Sequence, residues 1–198
     1  MLKVSLPQLV DAARAGQVVS FPTDTLPALA TKPEQAAEIY RLKHRQVHKP
    51  LILMAAKASE LWPYVRGTSE EQARWQVMAE QYWPGAITLV LPATGLHPIA
   101  MTPANPRTLG VRVPNNDLAL EILTATGPLA TTSANRSGEP PLRNADAIAE
   151  LFPQVQVLGT ESSGIERERK VAPQPSTVLA WKGKDWQVLR AGAIAFSA

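Results

Sequence analysis

The stretch RLKHRQVHKPLILMA, Arg41 to Ala55, sets a basic segment directly against an apolar one. Its first ten residues carry Arg41, Lys43, Arg45 and Lys49 with no acidic residue among them, and Leu51 to Ala55 follows at once. A short continuous apolar run of this kind reads as a central strand covered on both faces. Pro50 disfavours helix at Lys49, and on an extended backbone Lys43 and Arg45 reach the same side. That reading gathers cations at one edge of a sheet. The competing reading is a solvated helix end whose basic residues complement the helix dipole.

Outward from this stretch the chain alternates helices and strands. Pro33 starts the helix that delivers the basic residues, and Ala36, Ala37, Ile39 and Tyr40 are its apolar positions. Before it, Ser5 and Pro7 open a helix that Gly16 ends, Val18 to Phe21 is a strand, and Pro22-Thr23-Asp24-Thr25 is a hydroxyl-rich turn. A turn at the end of a buried strand is where α/β proteins place ligand groups, although a plain Asx turn has the same composition. After the apolar run, Thr68 and Glu71 form a capping box for a helix with Trp75, Met78 and Tyr82 on its core side. Ile87 to Leu91, Thr108 to Val113, Leu129 to Thr132 and Val155 to Leu158 read as strands, with Asn116 and Asn144 capping the intervening helices. Arg112 must face away from Val111 and Val113, where it either snorkels to water or meets an anion. Gly159 to Pro175 lacks periodicity and is expected to be a functional or mobile loop. Ser176 to Trp181 and Trp186 to Leu189 close the chain as a hairpin. The pattern predicts one α/β domain over residues 1–198, with a twisted mixed sheet flanked by helices.

The 198 residues suffice for one substantial core, and 45% apolar with 19% charged residues is a globular composition. A formal net charge of +3 permits an anionic small molecule or RNA and compels neither. With no cysteine there is no disulfide, thiolate metal site or cysteine nucleophile, and a reducing, cytoplasmic location is expected. No apolar run approaches the ~18 residues of a membrane span, so no membrane partner is expected. His44 and His48 could share a helix face as metal ligands, but no further ligand is near them in sequence and a surface pair is the better reading. No metal ligand set is expected.

The usual phosphate-loop, dinucleotide, nucleophile-elbow and zinc signatures are absent. What remains are the cations Lys43, Arg45, Lys49, Arg112 and Arg190 and the hydroxyls Thr25, Thr108, Ser133 and Ser176, nearly all at strand ends or the turns after them. Such a set suits a phosphate-bearing anion held by electrostatics better than nucleophilic catalysis. RNA is the alternative partner, but only Tyr40 adjoins the basic stretch to stack a base.

In order along the chain come Pro22-Thr23-Asp24-Thr25, the K-x-R-x-x-x-K-P-L pattern from Lys43 to Leu51, Trp83-Pro84-Gly85, Val111-Arg112-Val113-Pro114, Thr132 to Gly138 (TSANRSG), Ser176-Thr177-Val178 and Leu189-Arg190-Ala191-Gly192. This series resembles the YrdC/TsaC family of threonylcarbamoyl-adenylate synthases in its short, single-domain form. The resemblance implies a YrdC-like fold and a nucleotidyltransferase. Its reaction joins L-threonine, bicarbonate and ATP, with Mg²⁺, into threonylcarbamoyl-adenylate and pyrophosphate, for modification of adenosine 37 in tRNA. It further implies downstream threonylcarbamoyl-transfer proteins as partners and leaves direct contact with tRNA open. By resemblance, Lys43 and Arg45 are catalytic, and Arg45, Lys49, Thr108, Ser133, Asn135 and Arg190 bind ATP. Thr25, Arg112, Thr131 and Ser176 surround threonine. The loop Gly159 to Pro175 is expected to act as a lid. The chain departs from the family at Leu26-Pro27-Ala28-Leu29-Ala30, where a Val-Tyr-Gly-Leu-Gly run is usual, and at Gln46, Met54, Pro141 and Ala191. These changes keep open a divergent paralogue that binds nucleotide without using threonine, and an RNA-binding YrdC-like module is the other alternative.

Overall fold

Capping side chains set several helix starts. Thr68 accepts from the Glu71 amide while Glu71 returns a bond to the Thr68 amide, and α3 runs Ser69–Tyr82. The side-chain oxygens of Asn116 and Asn144 accept from the amides of Ala119 and Ala147, opening α4 (Asp117–Thr126) and α5 (Ala145–Leu151). The Ser5 amide donates to Gln8 Oε1 at the start of α1 (Leu6–Arg14). The remaining helix, α2 (Ala36–Lys43), follows a 3₁₀ turn at Pro33–Gln35. The computed structural model describes residues 3–159 and 174–196; the expected lid lies almost wholly outside them.

The strands are β1 (Lys3–Val4), β2 (Val19–Phe21), β3 (Ala28–Thr31), β4 (Ile52–Met54), β5 (Ile87–Pro92), β6 (Thr108–Arg112), β7 (Leu129–Ser133), β8 (Gln156–Leu158), β9 (Thr177–Trp181) and β10 (Trp186–Arg190). Among the described residues they form one mixed sheet ordered β1-β8-β2-β3-β7-β4-β6-β5-β9-β10. β4 pairs parallel with β6 and β5 with β9, while β3–β7, β4–β7, β5–β6 and β9–β10 are antiparallel.

Side-chain alternation divides the core in two. Leu29, Leu53, Leu89, Val111, Ala130 and Leu179 pack with residues of α2, α3 and α5, including the fully buried Trp75. Val19, Phe21, Ala28, Ala30, Met54 and Leu129 pack with Leu9 and Ala13 of α1 and Ile122 and Leu123 of α4. Helices α1 and α4 touch each other and α1 lies along β2 and β8. The same face of β4, β5, β6 and β9 carries the functional cleft.

Ala28–Thr31, to which the sequence reading gave no element, is an inner strand paired with β2 and β7. One expectation needs correction: the segment from Lys43 to Arg45 is not extended. Lys43 is the last residue of α2, and His44 caps it in the left-handed region with φ 49° and ψ 43°. That turn sends Lys43 and Arg45 in different directions, and it takes His44 and His48 off any shared helix face.

Candidate active site

A cleft of about 680 Å³ lies over the middle of the sheet. Its floor follows the strand period of two: Ile52 and Met54 of β4, Thr88 and Val90 of β5, Thr108, Gly110 and Arg112 of β6, Thr131 and Ser133 of β7, and Val178 of β9. Register sets them in rows, with Thr131 opposite Ile52, Ile52 opposite Gly110, and Met54 opposite Arg112. The walls are the turn at Thr23 to Leu26, the basic loop from Arg45 to Pro50, the loop carrying Thr102 and Asn105, and the end of β10 with Leu189 and Arg190.

Arg112 is 4% exposed, and its fork is held from three directions. Nε donates to the Gly85 carbonyl at 3.0 Å, one terminal nitrogen to Thr25 Oγ1 at 3.1 Å, and the other to Asp24 Oδ1 at 2.6 Å. Burial pulls this guanidinium below its ordinary value, Asp24 opposes the shift, and Arg190 adds to it. Thr25 is fixed in turn, because its amide donates to Thr23 Oγ1 at 3.1 Å and Thr23 Oγ1 donates to the Leu26 carbonyl at 2.8 Å.

Among the described residues Arg45 and Arg190 find only uncharged acceptors. Arg45 donates to the carbonyls of Lys49 and Pro50 at 2.8 and 2.9 Å, closing the basic loop on itself. Tyr40 donates to the Lys49 and Met101 carbonyls, both at 3.1 Å, and so ties that loop to the far wall. Arg190 donates to the Ser176 carbonyl at 2.8 Å and to Ser176 Oγ at 3.2 Å. Ser176 Oγ also meets Thr88 Oγ1 at 2.9 Å. Burial lowers both guanidinium groups, and Arg190 further disfavours the charge on Arg45. The charges of Arg45, Arg112 and Arg190 are thus felt across one cleft, and the carboxylate paired there, Asp24, belongs to Arg112. Such an arrangement is built for a polyanion.

The structure brings nine of the eleven residues singled out from sequence onto this cleft: Thr25, Arg45, Lys49, Thr108, Arg112, Thr131, Ser133, Ser176 and Arg190. Thr131 Oγ1 donates to the Ile52 carbonyl at 3.1 Å, and Thr108 Oγ1 accepts from Asn105 Nδ2 at 3.3 Å. Lys43 and Asn135 are not on the lining. Lys43 is 1% exposed, and Nζ donates to the Ser133 carbonyl and, at 3.2 Å, to Asn135 Oδ1. Asn135 Oδ1 also accepts from Ser133 Oγ at 2.7 Å, so it acts from behind the cleft surface. Sequence reasoning missed Asp24 as the partner of Arg112 and Thr88 as a floor residue. Thr88, a polar residue inside the apolar strand Ile87 to Leu91, carried the available signal.

Known proteins are similar to this chain in sequence and fold. A family model for Sua5, YciO and YrdC, described as telomere recombination, matches residues 11–192. A threonylcarbamoyl-AMP synthase of Serratia proteamaculans is 37% identical over 149 residues, covering 73% of this chain and 77% of the relative. One of Bacillus subtilis is 36% identical over 158 residues, covering 75% of this chain but 44% of the relative. The structure of P. abyssi Sua5 complexed with L-threonine superposes with a TM-score of 0.81 at 28% identity, covering 94% of this chain and 54% of that one. The chain therefore spans about half the length of these last two proteins. With the family model matched over nearly the whole chain and the cleft assembled from the ordered motifs, this protein belongs to the Sua5/YciO/YrdC family.

Proposed function

We propose that this protein is a threonylcarbamoyl-adenylate synthase acting in the cytoplasm, and that its product serves tRNA modification. The observation that carries the reading is the convergence of Arg45, Arg112 and Arg190 on one cleft in which, among the described residues, only Arg112 is paired with a carboxylate. The synthase names of the 36% and 37% identical relatives and the threonine in the P. abyssi complex support it.

In this reading two anions meet in the cleft. The carboxylate of L-threonine takes the donors that Arg112 has left beyond Asp24, Thr25 and Gly85, with Thr25, Thr131 and Ser176 around the rest of the amino acid. The nucleotide phosphates take Arg45, Lys49 and Arg190, while Thr108 and Ser133 line their path and Asn135 holds Ser133 from behind. The threonine amine bonds the bicarbonate carbon and a carbon–oxygen bond breaks to release water, which gives the carbamate. A carbamate oxygen then attacks the α-phosphorus, the new oxygen–phosphorus bond forms, and the bond to the bridging oxygen breaks to release pyrophosphate. A carbamate is already anionic and needs no strong base. The protein contributes proximity, in-line orientation and charge neutralisation.

Mg²⁺ belongs with the nucleotide. Among the described residues the carboxylate beside the cleft is Asp24, already paired with Arg112, and no cluster of three acidic or histidine side chains occurs. The described residues do not fit a protein-held Mg²⁺, so the ion would enter with ATP as part of the substrate.

The test is pyrophosphate release, with the mass of any adenylate, from ATP, Mg²⁺ and bicarbonate with and without L-threonine. Threonine-dependent pyrophosphate and the matching adenylate are expected. Nucleotide binding without either product would sink the synthase reading and favour the divergent nucleotide-binding paralogue.

A further inference from the structure

Lys43 occupies a position its neighbours in sequence do not suggest. Arg45 and Lys49 line the cleft, whereas Lys43 runs behind it from the last turn of α2 and is sealed from solvent. Its Nζ donates to two oxygens where β7 runs into its following loop, the carbonyl of Ser133 at the strand's end and Asn135 Oδ1. Its own carbonyl accepts from the Ser137 amide of the same loop at 3.1 Å. One residue thus fastens that loop at Ser133, Asn135 and Ser137.

The loop is built around this contact. Asn135 Oδ1 receives both Lys43 Nζ and Ser133 Oγ, while Asn135 Nδ2 donates to the carbonyls of Arg136 and Glu139 at 2.8 and 2.7 Å. Ser133 lies on the cleft and Asn135 does not. We infer that Lys43 is a positioning residue that fixes the Ser133–Gly138 loop against the basic loop, and that it does not itself contact phosphate. The inference rests on the nucleotide site proposed above. It assigns Lys43 a different task from Arg45, although the two stand in one K-x-R motif.

Electrostatics supports the geometry. Burial lowers the Lys43 ammonium to about 7, and the neighbouring cation Arg45 pushes in the same direction. From α2 and its following loop the charged neighbour acting on Lys43 is Arg45; from the β7 loop Lys43 meets a carbonyl and an amide oxygen, and no ion pair involves it among the described residues. The ammonium therefore exchanges its proton near neutrality. Charge-assisted bonds are stronger than neutral ones, so the loop is held more firmly below this pH than above it.

The experiment compares the wild type with Lys43→Met, which keeps the apolar stem, and Lys43→Gln, which restores a neutral donor. Amide hydrogen exchange over residues 133–138 reads the loop without reference to activity, and steady-state kinetics with ATP and threonine varied separately reads the site. Lys43→Met is expected to speed exchange at those amides and to raise KM for ATP about ten-fold or more, in line with losing a charge-assisted hydrogen bond, with KM for threonine little changed. The ATP affinity of the wild type should fall as pH rises through about 7 relative to Lys43→Met, the nucleotide's own ionisation being common to both. Lys43→Gln should recover part of the exchange protection and show no such difference. Unchanged exchange at 133–138 in Lys43→Met would overturn the inference, as would equal rises in both KM values or Nζ on a phosphate oxygen in a nucleotide complex. If the wild type forms no adenylate, the synthase reading fails, and loop exchange and direct ATP binding still judge Lys43.

Discussion

Arg112 and Asp24 show how one pair can serve both stability and recognition. Burying a guanidinium costs free energy that Asp24, Thr25 and the Gly85 carbonyl offset, and removing the carboxylate leaves the cation stranded. Asp24→Ala is expected to destabilise the fold by about 3 kcal/mol in urea unfolding, the usual cost of breaking a buried ion pair from one side. Arg112→Lys retains charge without the fork; its KM for threonine should rise by about ten-fold or more with KM for ATP nearly unchanged, and the reverse split would argue against the assigned subsite. His97 behaves differently. It is 3% exposed, Nε2 shares a 2.8 Å hydrogen bond with Thr102 at the cleft wall, and Nδ1 has no partner among the described residues. Burial holds the imidazole below its ordinary 6.5. Between its folded value and 6.5 the unfolded chain binds a proton that the folded chain refuses, so stability rises with pH across that window and falls on acidification. Unfolding midpoints at about pH 5.5 and about pH 7.5 should differ less in His97→Asn than in the wild type.

Among the elements, strand β6 states the design of the cleft most plainly. Leu109 and Val111 go to the core while Thr108, Gly110 and Arg112 go to the floor, and Gly110 leaves room where a side chain would rise into the ligand. A Cβ there would sit 3.5 Å from Ile52 and Thr88, ordinary contact distance, so the fold can accept more volume. Gly110→Val should remain folded by circular dichroism yet weaken ATP binding at least about ten-fold; unchanged binding would put the ligand elsewhere in the cleft. At the end of α2, His44→Gly should be neutral to stabilising by about 1 kcal/mol, because a left-handed cap suits glycine. These two elements also show what could be read in advance. The caps at Thr68, Asn116 and Asn144 have local chemistry and were legible, as were the strands with continuous apolar runs. Strand β3 was not: its four residues are all buried, so alternation is lost, and alanine is a poor strand former. The direction of Lys43 was hidden as well, since it depends on His44 entering a backbone region that sequence marks with glycine far more often.

At the scale of the molecule, cleft and sheet are one object. Floor residues come from β4, β5, β6, β7 and β9, and Arg190 reaches in from the last strand. The tail then turns back: the Ala193 amide donates to the Pro175 carbonyl at 2.9 Å, and Thr177 Oγ1 donates to the Ile194 carbonyl at 2.6 Å. Gly192 permits this passage, since a Cβ there would lie 2.3 Å from the Pro175 oxygen and 2.6 Å from the Ser176 oxygen. The strand order has a kinetic meaning. Val19 pairs with Gln156, Ala28 with Ser133 and Ile87 with Thr177, so the sheet closes by joining segments far apart in the chain. Such closures are slow, and refolding on the scale of milliseconds to seconds follows. A nucleotide bound as proposed, over β4, β5, β6, β7 and β9, finds no complete site until the last of these five has docked. It should therefore retard unfolding while leaving the refolding rate untouched.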